Sequence, residues 1–260
     1  MDTDYISVTE IAGDHVTREQ VDRLCNRYYW ASQYCKDKDV LEVACGTGIG
    51  LGYLKSVARS LTAGDYSNEI LSIALRHYRD RIVFLQFDGQ DMPFINQSKD
   101  VIILFEAIYY LPSAEKFVRE CVRVLRPGGK VLITTANKDL YDFNPSPYSY
   151  NYYGVVELRN LFARFHFKTE FFGDSPVNRT SPLQKMLMYI KKIAVFLNLM
   201  PKTMEGKKFL KRIIFGKLVK LPAEITENTI TYLKPNNIFN IEPNTTHKII
   251  FCAATIDENY

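Results

Sequence analysis

The chain has 260 residues, enough for one substantial core or for one core carrying a large insertion. Its 47% hydrophobic and 24% charged residues are those of an ordinary globular protein, and a net charge of +4 makes no case for a polyanionic partner. Five widely spaced cysteines without a C-x-x-C pair (Cys25, Cys35, Cys45, Cys121, Cys252) and four unclustered histidines argue against a disulfide framework or a metal site.

Residues 16 to 36 read as a helical segment ending in the aromatic cluster Tyr28-Tyr29-Trp30. A first strand, Asp39 to Ala44, runs into Cys45-Gly46-Thr47-Gly48-Ile49-Gly50 and then a helix to about Val57. A second strand ends at Asp65, with Ser67 as N-cap of a helix from Asn68 to Tyr78. A third, Ile82 to Phe87, ends at Asp88, and a fourth, Asp100 to Phe105, ends at Glu106. Helix Ala114 to Leu125 stops at Pro127-Gly128-Gly129, a turn expected to launch the fifth strand, Lys130 to Thr135. A Tyr/Pro/Asn/Ser-rich loop (141 to 153), a helix (154 to 163) and strands Phe165 to Phe172 and Lys248 to Thr255 follow. Apolar strands alternating with helices over more than 130 residues predict an α/β fold with a mainly parallel sheet covered on both faces.

The rhythm breaks between those last two strands. Leu183 to Leu197 and Phe209 to Leu221 each place apolar residues on one helical face. Ten basic residues against one acid, Glu205, give +9 between Lys185 and Lys220, so the rest of the chain is net negative. The expectation is a basic, largely helical insertion over 174 to 246 that caps an acceptor site. It would favour an anionic or glycan-like acceptor, or contact a membrane surface peripherally through 183 to 221. An acidic start, Met1-Asp2-Thr3-Asp4, and the lack of an 18-residue apolar run suggest a cytoplasmic protein.

The glycine-rich turn lets a ligand approach the backbone at a helix start, and no Gly-Lys-Ser/Thr follows that would make it a triphosphate loop. Taken in order, Val40 to Gly48, Gly64-Asp65-Tyr66-Ser67, Asp88 to Phe94, Asp100 to Leu111 and Leu125 to Gly129 resemble the motifs of the class I S-adenosylmethionine-dependent methyltransferases, small-molecule branch. The resemblance implies a Rossmann-like, seven-stranded sheet with its last strand antiparallel, formed by 38 to 173 and 247 to 260, and a helical lid from 1 to 37. It implies S-adenosylmethionine as cofactor and S-adenosylhomocysteine as product. Gly46 and Gly48 would pass close to the methionine part, with Glu42 ordering that end and Ala44 standing where the family often has glycine. Asp65 would take the ribose hydroxyls, with Tyr66 beside it. Asp88, Gly89 and Gln90 would border the adenine, and Phe105 would close the strand end.

Glu106 and Tyr110 are the catalytic candidates, Glu106 to orient or deprotonate an acceptor. Relatives often carry histidine at the place of Tyr110, so the chain finds its base elsewhere or needs none. Tyr29, Trp30, Tyr109, Tyr148, Tyr152 and Tyr153 are expected on the acceptor side. Phenol rings suit a polyhydroxylated ligand, and the expected acceptor is a hydroxyl of a carbohydrate or natural product. No metal and no nucleic acid are expected. Two alternatives stand beside this reading. A nucleic-acid methyltransferase would grip phosphates with the basic insert, but the fourth strand lacks an Asn/Asp-Pro-Pro-Tyr/Phe-like signature. A non-catalytic S-adenosylmethionine-binding partner protein is the other.

Overall fold

A computed structural model describes residues 5–177, 218–239 and 241–258. In chain order it runs β1 (His15–Val16), α1 (Arg18–Cys35), β2 (Asp39–Val43), α2 (Leu51–Val57), β3 (Ser60–Asp65), α3 (Asn68–Tyr78), β4 (Val83–Gln86), β5 (Lys99–Phe105), α4 (Ala114–Val124), β6 (Leu125–Ala136), α5 (Val155–Ala163), β7 (Phe167–Pro176), β8 (Val219–Lys220), β9 (Asn236–Ile238) and β10 (His247–Ile256). Among the described residues the main sheet has the order β4-β3-β2-β5-β6-β10-β7-β9. Strands β4 to β6 pair in parallel, and β10 runs antiparallel to both β6 and β7. The expected Rossmann-like sheet is therefore present, widened by one short edge strand, β9, from within the stretch expected as a largely helical insertion.

Central strands buried on both faces explain the near-continuous apolar runs of β2 and β5. Val40, Ile103, Leu132, Phe251 and Ala253 join a core under α1, α2 and α3. Their neighbours Leu41, Ile102, Leu104, Val131 and Cys252 face the opposite core, with Phe117 and Val118 of α4 and Leu158 and Phe162 of α5. The helices begin where polar caps allow. Thr17 and Gln20 form a reciprocal capping box on α1, and Ser67 and Ser113 accept from Ile70 N and Lys116 N at the starts of α3 and α4.

Two local expectations change. Pro127-Gly128-Gly129 does not end an element. The strand runs through it, and the ladder absorbs the extra residues as a register shift between Lys99↔Leu125 and Val101↔Lys130. The apolar pattern ending at Leu221 does not finish as a helix. Val219 and Lys220 pair with Val16 and His15, and Leu221 exchanges backbone hydrogen bonds with Gly13 and Asp14 before burying its side chain. The rest of the basic segment, including the face Leu183 to Leu197 and nearly all its Lys and Arg residues, lies outside the described residues. No described helix is long and apolar enough to cross a membrane.

Charge is distributed unequally over the two ends of the parallel strands. At their amino ends Asp39 and Asp100 pair with Arg59 and Arg126 at 2.5–3.0 Å. Their carboxyl ends open into a cavity, where such doubly wound sheets bind ligands.

Candidate functional site

The cavity has a volume of about 550 Å3, within the ordinary range for a small-molecule site. All ten residues expected on the cofactor side line it: Glu42, Ala44, Gly46, Gly48, Asp65, Tyr66, Asp88, Gly89, Gln90 and Phe105. They arrive there because four adjacent parallel strands deliver their carboxyl ends to one edge.

The turn after β2 is wound through left-handed backbone at Ala44 (φ 53°), Gly46 (φ 58°) and Gly48 (φ 80°). Glycine takes that conformation freely, whereas alanine at position 44 is strained by about 1–2 kcal/mol. At Gly48 a Cβ would also sit 2.9 Å from Leu51 Cδ1 and 3.1 Å from the Tyr78 ring.

Asp65 ends β3 and is held by backbone donors. Gly46 N donates to its Oδ2 and Ser67 N to its Oδ1, both at 2.9 Å. A carboxylate has about four lone-pair sites, so acceptor capacity remains for a ligand's hydroxyls. Burial raises its pKa, and these backbone donors oppose the rise. Asp88 accepts from Gln90 N at 2.8 Å, while Gln90 Oε1 accepts from Ser113 N at 2.9 Å, tying this loop to α4.

Glu42 is only 1% exposed. Its Oε1 accepts from Tyr28 OH at 2.7 Å, but its Oε2 has no partner among the described residues. Burial pushes its pKa up to about 7 against the opposing pull of Tyr28 and Arg27. An orphaned buried carboxylate oxygen beside an exposed-backbone glycine turn fits a ligand that brings its own donors. The donor set of this wall thus suits a nucleoside with an ammonium-bearing tail, which is what S-adenosylmethionine is.

Across the cavity lie Glu106, Tyr109 and Tyr110. Glu106 adopts φ 50°, donates its backbone N–H to Thr134 O at 2.9 Å, and has its pKa raised by burial. Tyr110 OH bonds Ser146 Oγ at 2.6 Å, and burial raises its pKa as well. Tyr109 lies 4.3 Å from Tyr152, ring stacked on ring.

The remaining acceptor-side expectations are placed elsewhere. Tyr29 hydrogen-bonds the Thr226 carbonyl, and Trp30 is buried against Phe251, Phe172 and Tyr34. On α1 it is Tyr28 that faces the cavity, with its ring edge-on to Phe105. Tyr148, Tyr152 and Tyr153 do not line the cavity, while Tyr150, whose N–H donates to Tyr109 O at 2.7 Å, reaches it.

The residues that close the other side fall within the lid expected over 1 to 37, but the sequence did not single them out. Tyr5, Val8, Thr9 and Glu10 line the cavity, the first two from a 3-10 helix, Tyr5–Val8. The Tyr5 ring meets Tyr110 and Tyr66 edge-on, and Thr47 Oγ1 donates to Glu10 O at 2.8 Å. Arg27 also lines it, paired with Glu10 at 2.5 Å. A single turn of 3-10 helix carries no periodicity, so no local signal marked this segment. Among the described residues no cluster of His, Cys, Asp and Glu could hold a metal ion.

Residues 41–133 match the family described as a methyltransferase domain. A probable S-adenosylmethionine-dependent methyltransferase of Mycobacterium tuberculosis is 36% identical over 104 residues, 40% of this chain and 38% of that protein. A fatty-acid O-methyltransferase of Mycolicibacterium smegmatis is 37% identical over 102 residues, 38% of this chain and 37% of that protein. The chain thus aligns with about two fifths of the length of these relatives. Among solved structures, the YcgJ protein of Bacillus subtilis superimposes with a TM-score of 0.57 at 16% identity, covering 89% of this chain and 98% of that one, a likeness of fold.

Proposed function

We propose that the chain, whose residues 41–133 match the methyltransferase-domain family, transfers the sulfonium methyl group of S-adenosylmethionine to a small apolar acceptor at the carboxyl edge of its sheet. One observation carries the reading. The residues of four separated motifs converge on one 550 Å3 cavity, with Asp65 and Glu42, whose Oε2 has no partner among the described residues, on its wall.

In this reading Asp65 holds the ribose hydroxyls and Asp88 accepts from the adenine amino group, while Gln90 fixes that loop. Gly46 and Gly48 keep the methionine end against bare backbone, and Glu42 takes donors from it. When bound, the cofactor supplies a methyl group on a positively charged sulfur, ready for direct displacement. The protein then has to align an acceptor atom and exclude water. Tyr28, Phe105, Tyr109 and Tyr150 supply apolar walls for that purpose, and Glu106 orients the acceptor. The 3-10 helix Tyr5–Val8 covers the site from above.

The acceptor is read as lipid-like. The fatty-acid methylating activity named for the Mycolicibacterium relative supports this, as does the aromatic lining. The carbohydrate hydroxyl expected from the tyrosine-rich loop keeps one support, Tyr150 at the cavity. The direct experiment measures S-adenosylhomocysteine release with fatty acids, phenols, quinols, sugars and short RNA. Turnover on the apolar members is expected. Cofactor binding without turnover on any member would favour the non-catalytic alternative, and turnover on RNA alone the nucleic-acid one.

A further inference from the structure

A second, smaller cavity of about 140 Å3 adjoins the first, and Glu10, Arg27 and Glu106 line both. Its remaining walls include Arg23, one helical turn before Arg27 on α1, and Ile249 and Phe251 of β10. Neither arginine is satisfied. Arg23 bonds Glu19 and Arg27 bonds Glu10, yet the Nε of each is buried without a partner among the described residues. A guanidinium carries five donors in a fixed fork, and a buried donor left unmade costs about 1–3 kcal/mol. Both guanidinium side chains line the one small cavity, which suits a ligand that brings acceptor oxygens.

The charges around the cavity define that ligand further. Glu19 is shared between Arg23 and Lys248, the latter at 2.6 Å, and Glu10 balances Arg27. Lys248 thus adds a third cation beside the two arginines, and burial raises the pKa of Glu106. Ile249 and Phe251 add an apolar wall.

We propose that this cavity is the acceptor's anion subsite, in which Arg23 and Arg27 hold the carboxylate of an apolar carboxylic acid whose oxygen receives the methyl group. The inference rests on the methyl-transfer reading above and names its substrate class. A lone pair on the carboxylate oxygen forms the O–CH3 bond as the S–CH3 bond breaks. The bonding pair returns to sulfur, which becomes a neutral thioether, and the carboxylate becomes a neutral methyl ester. No proton is released, so no general base is required. That agrees with the lining: none of the four histidines reaches either cavity. It also resolves the tyrosine standing where relatives carry histidine. A neutral ester fits the two guanidinium groups less well than the acid, which favours product release.

The test compares acids with matching alcohols on the full chain: octanoate, decanoate and benzoate against 1-octanol, 1-decanol and benzyl alcohol. The acids should yield methyl esters, with kcat/KM at least ~10-fold above the alcohols, because buried unpaired donors reject a neutral ligand. Arg23→Gln should raise KM for the acids roughly 10–100-fold, the scale of a lost charged hydrogen bond. Its S-adenosylmethionine affinity and melting temperature should stay near native. Arg23→Lys, which keeps charge but loses the fork, should recover only part of the loss. Equal use of acids and alcohols, or an unchanged KM in Arg23→Gln, would overturn the proposal. If no member turns over, decanoate titrated into cofactor-loaded protein decides. Binding that Arg23→Gln abolishes supports the subsite, and no binding by the native chain rejects it. Failure to bind S-adenosylmethionine at all would instead strike the methyl-transfer reading.

Discussion

The two ends of the parallel strands treat their acids in opposite ways. At the amino ends, Asp39 has its pKa lowered chiefly by hydrogen bonds from Arg59. For Asp100, burial acts upward but is outweighed by donations from Asp39 N and Arg126. At the carboxyl ends, Glu42, Asp65 and Glu106 all have raised pKa values, with burial the leading cause each time. Among the described residues the acids at one end are ion-paired with arginine, whereas those at the other are not, and Glu42 Oε2 has no hydrogen-bond partner. That contrast separates scaffold from site. An acid already matched by arginine stabilises the fold, whereas an acid buried short of donors is stable only because the fold tolerates it, and a ligand can supply what is missing.

The largest expected effect tests the unsatisfied end. Glu42 has a folded pKa of about 7 against an unfolded value near 4.5. Its contribution to stability is therefore fully present below about pH 4.5 and is lost as pH rises through about 7. Glu42→Gln should abolish that dependence, so the native chain should lose on the order of 2–3 kcal/mol relative to the variant between those pH values. Denaturant unfolding at pH 4.5 and 7.5 measures it. A parallel pH profile in the two proteins would break the contrast.

The satisfied end should show the reverse slope. Asp100 is depressed, so its contribution is present above the unfolded pKa and is lost as pH falls through the folded one. Asp100→Asn should cost up to about 1 kcal/mol near neutrality, the upper range for a partly exposed ion pair, and nothing in strong acid. Unfolding measured in raised salt should shrink the difference. The smallest effect concerns the turn between the two cores. Ala44→Gly relieves left-handed strain by more than the unfolded chain's added freedom costs, and should raise stability by roughly 0.5–1 kcal/mol, a few degrees in melting temperature.

The cofactor wall was legible in the sequence for a definite reason. Gly46, Gly48, Asp65 and Asp88 sit at strand ends, and strand ends of a parallel sheet share an edge, so local signals add up to a site. The acceptor wall was not legible in the same way. Tyr28, Tyr29 and Trp30 are adjacent on one helix, and only the hand of that helix against Phe105 and Phe251 decides that Tyr28 faces the cavity and Trp30 the core. Tyr150, rather than its three tyrosine neighbours, reaches the cavity because of one backbone bond to Tyr109. Arg23 and Arg27 carry no sequence signal of their own, and only the approach of β10 and of Glu10 brings them to a cavity. Pro127-Gly128-Gly129 shows the limit of punctuation by composition, since a strand paired on both sides carried it as a bulge.

The account depends most on Asp65 being the residue that holds the ribose, and titration calorimetry of S-adenosylmethionine against the native chain and Asp65→Ala tests this. Removing a carboxylate that accepts two ligand hydroxyls should weaken binding by about 1.5–3 kcal/mol, with the variant still folded. A folded Asp65→Ala protein that binds S-adenosylmethionine with native affinity would contradict it.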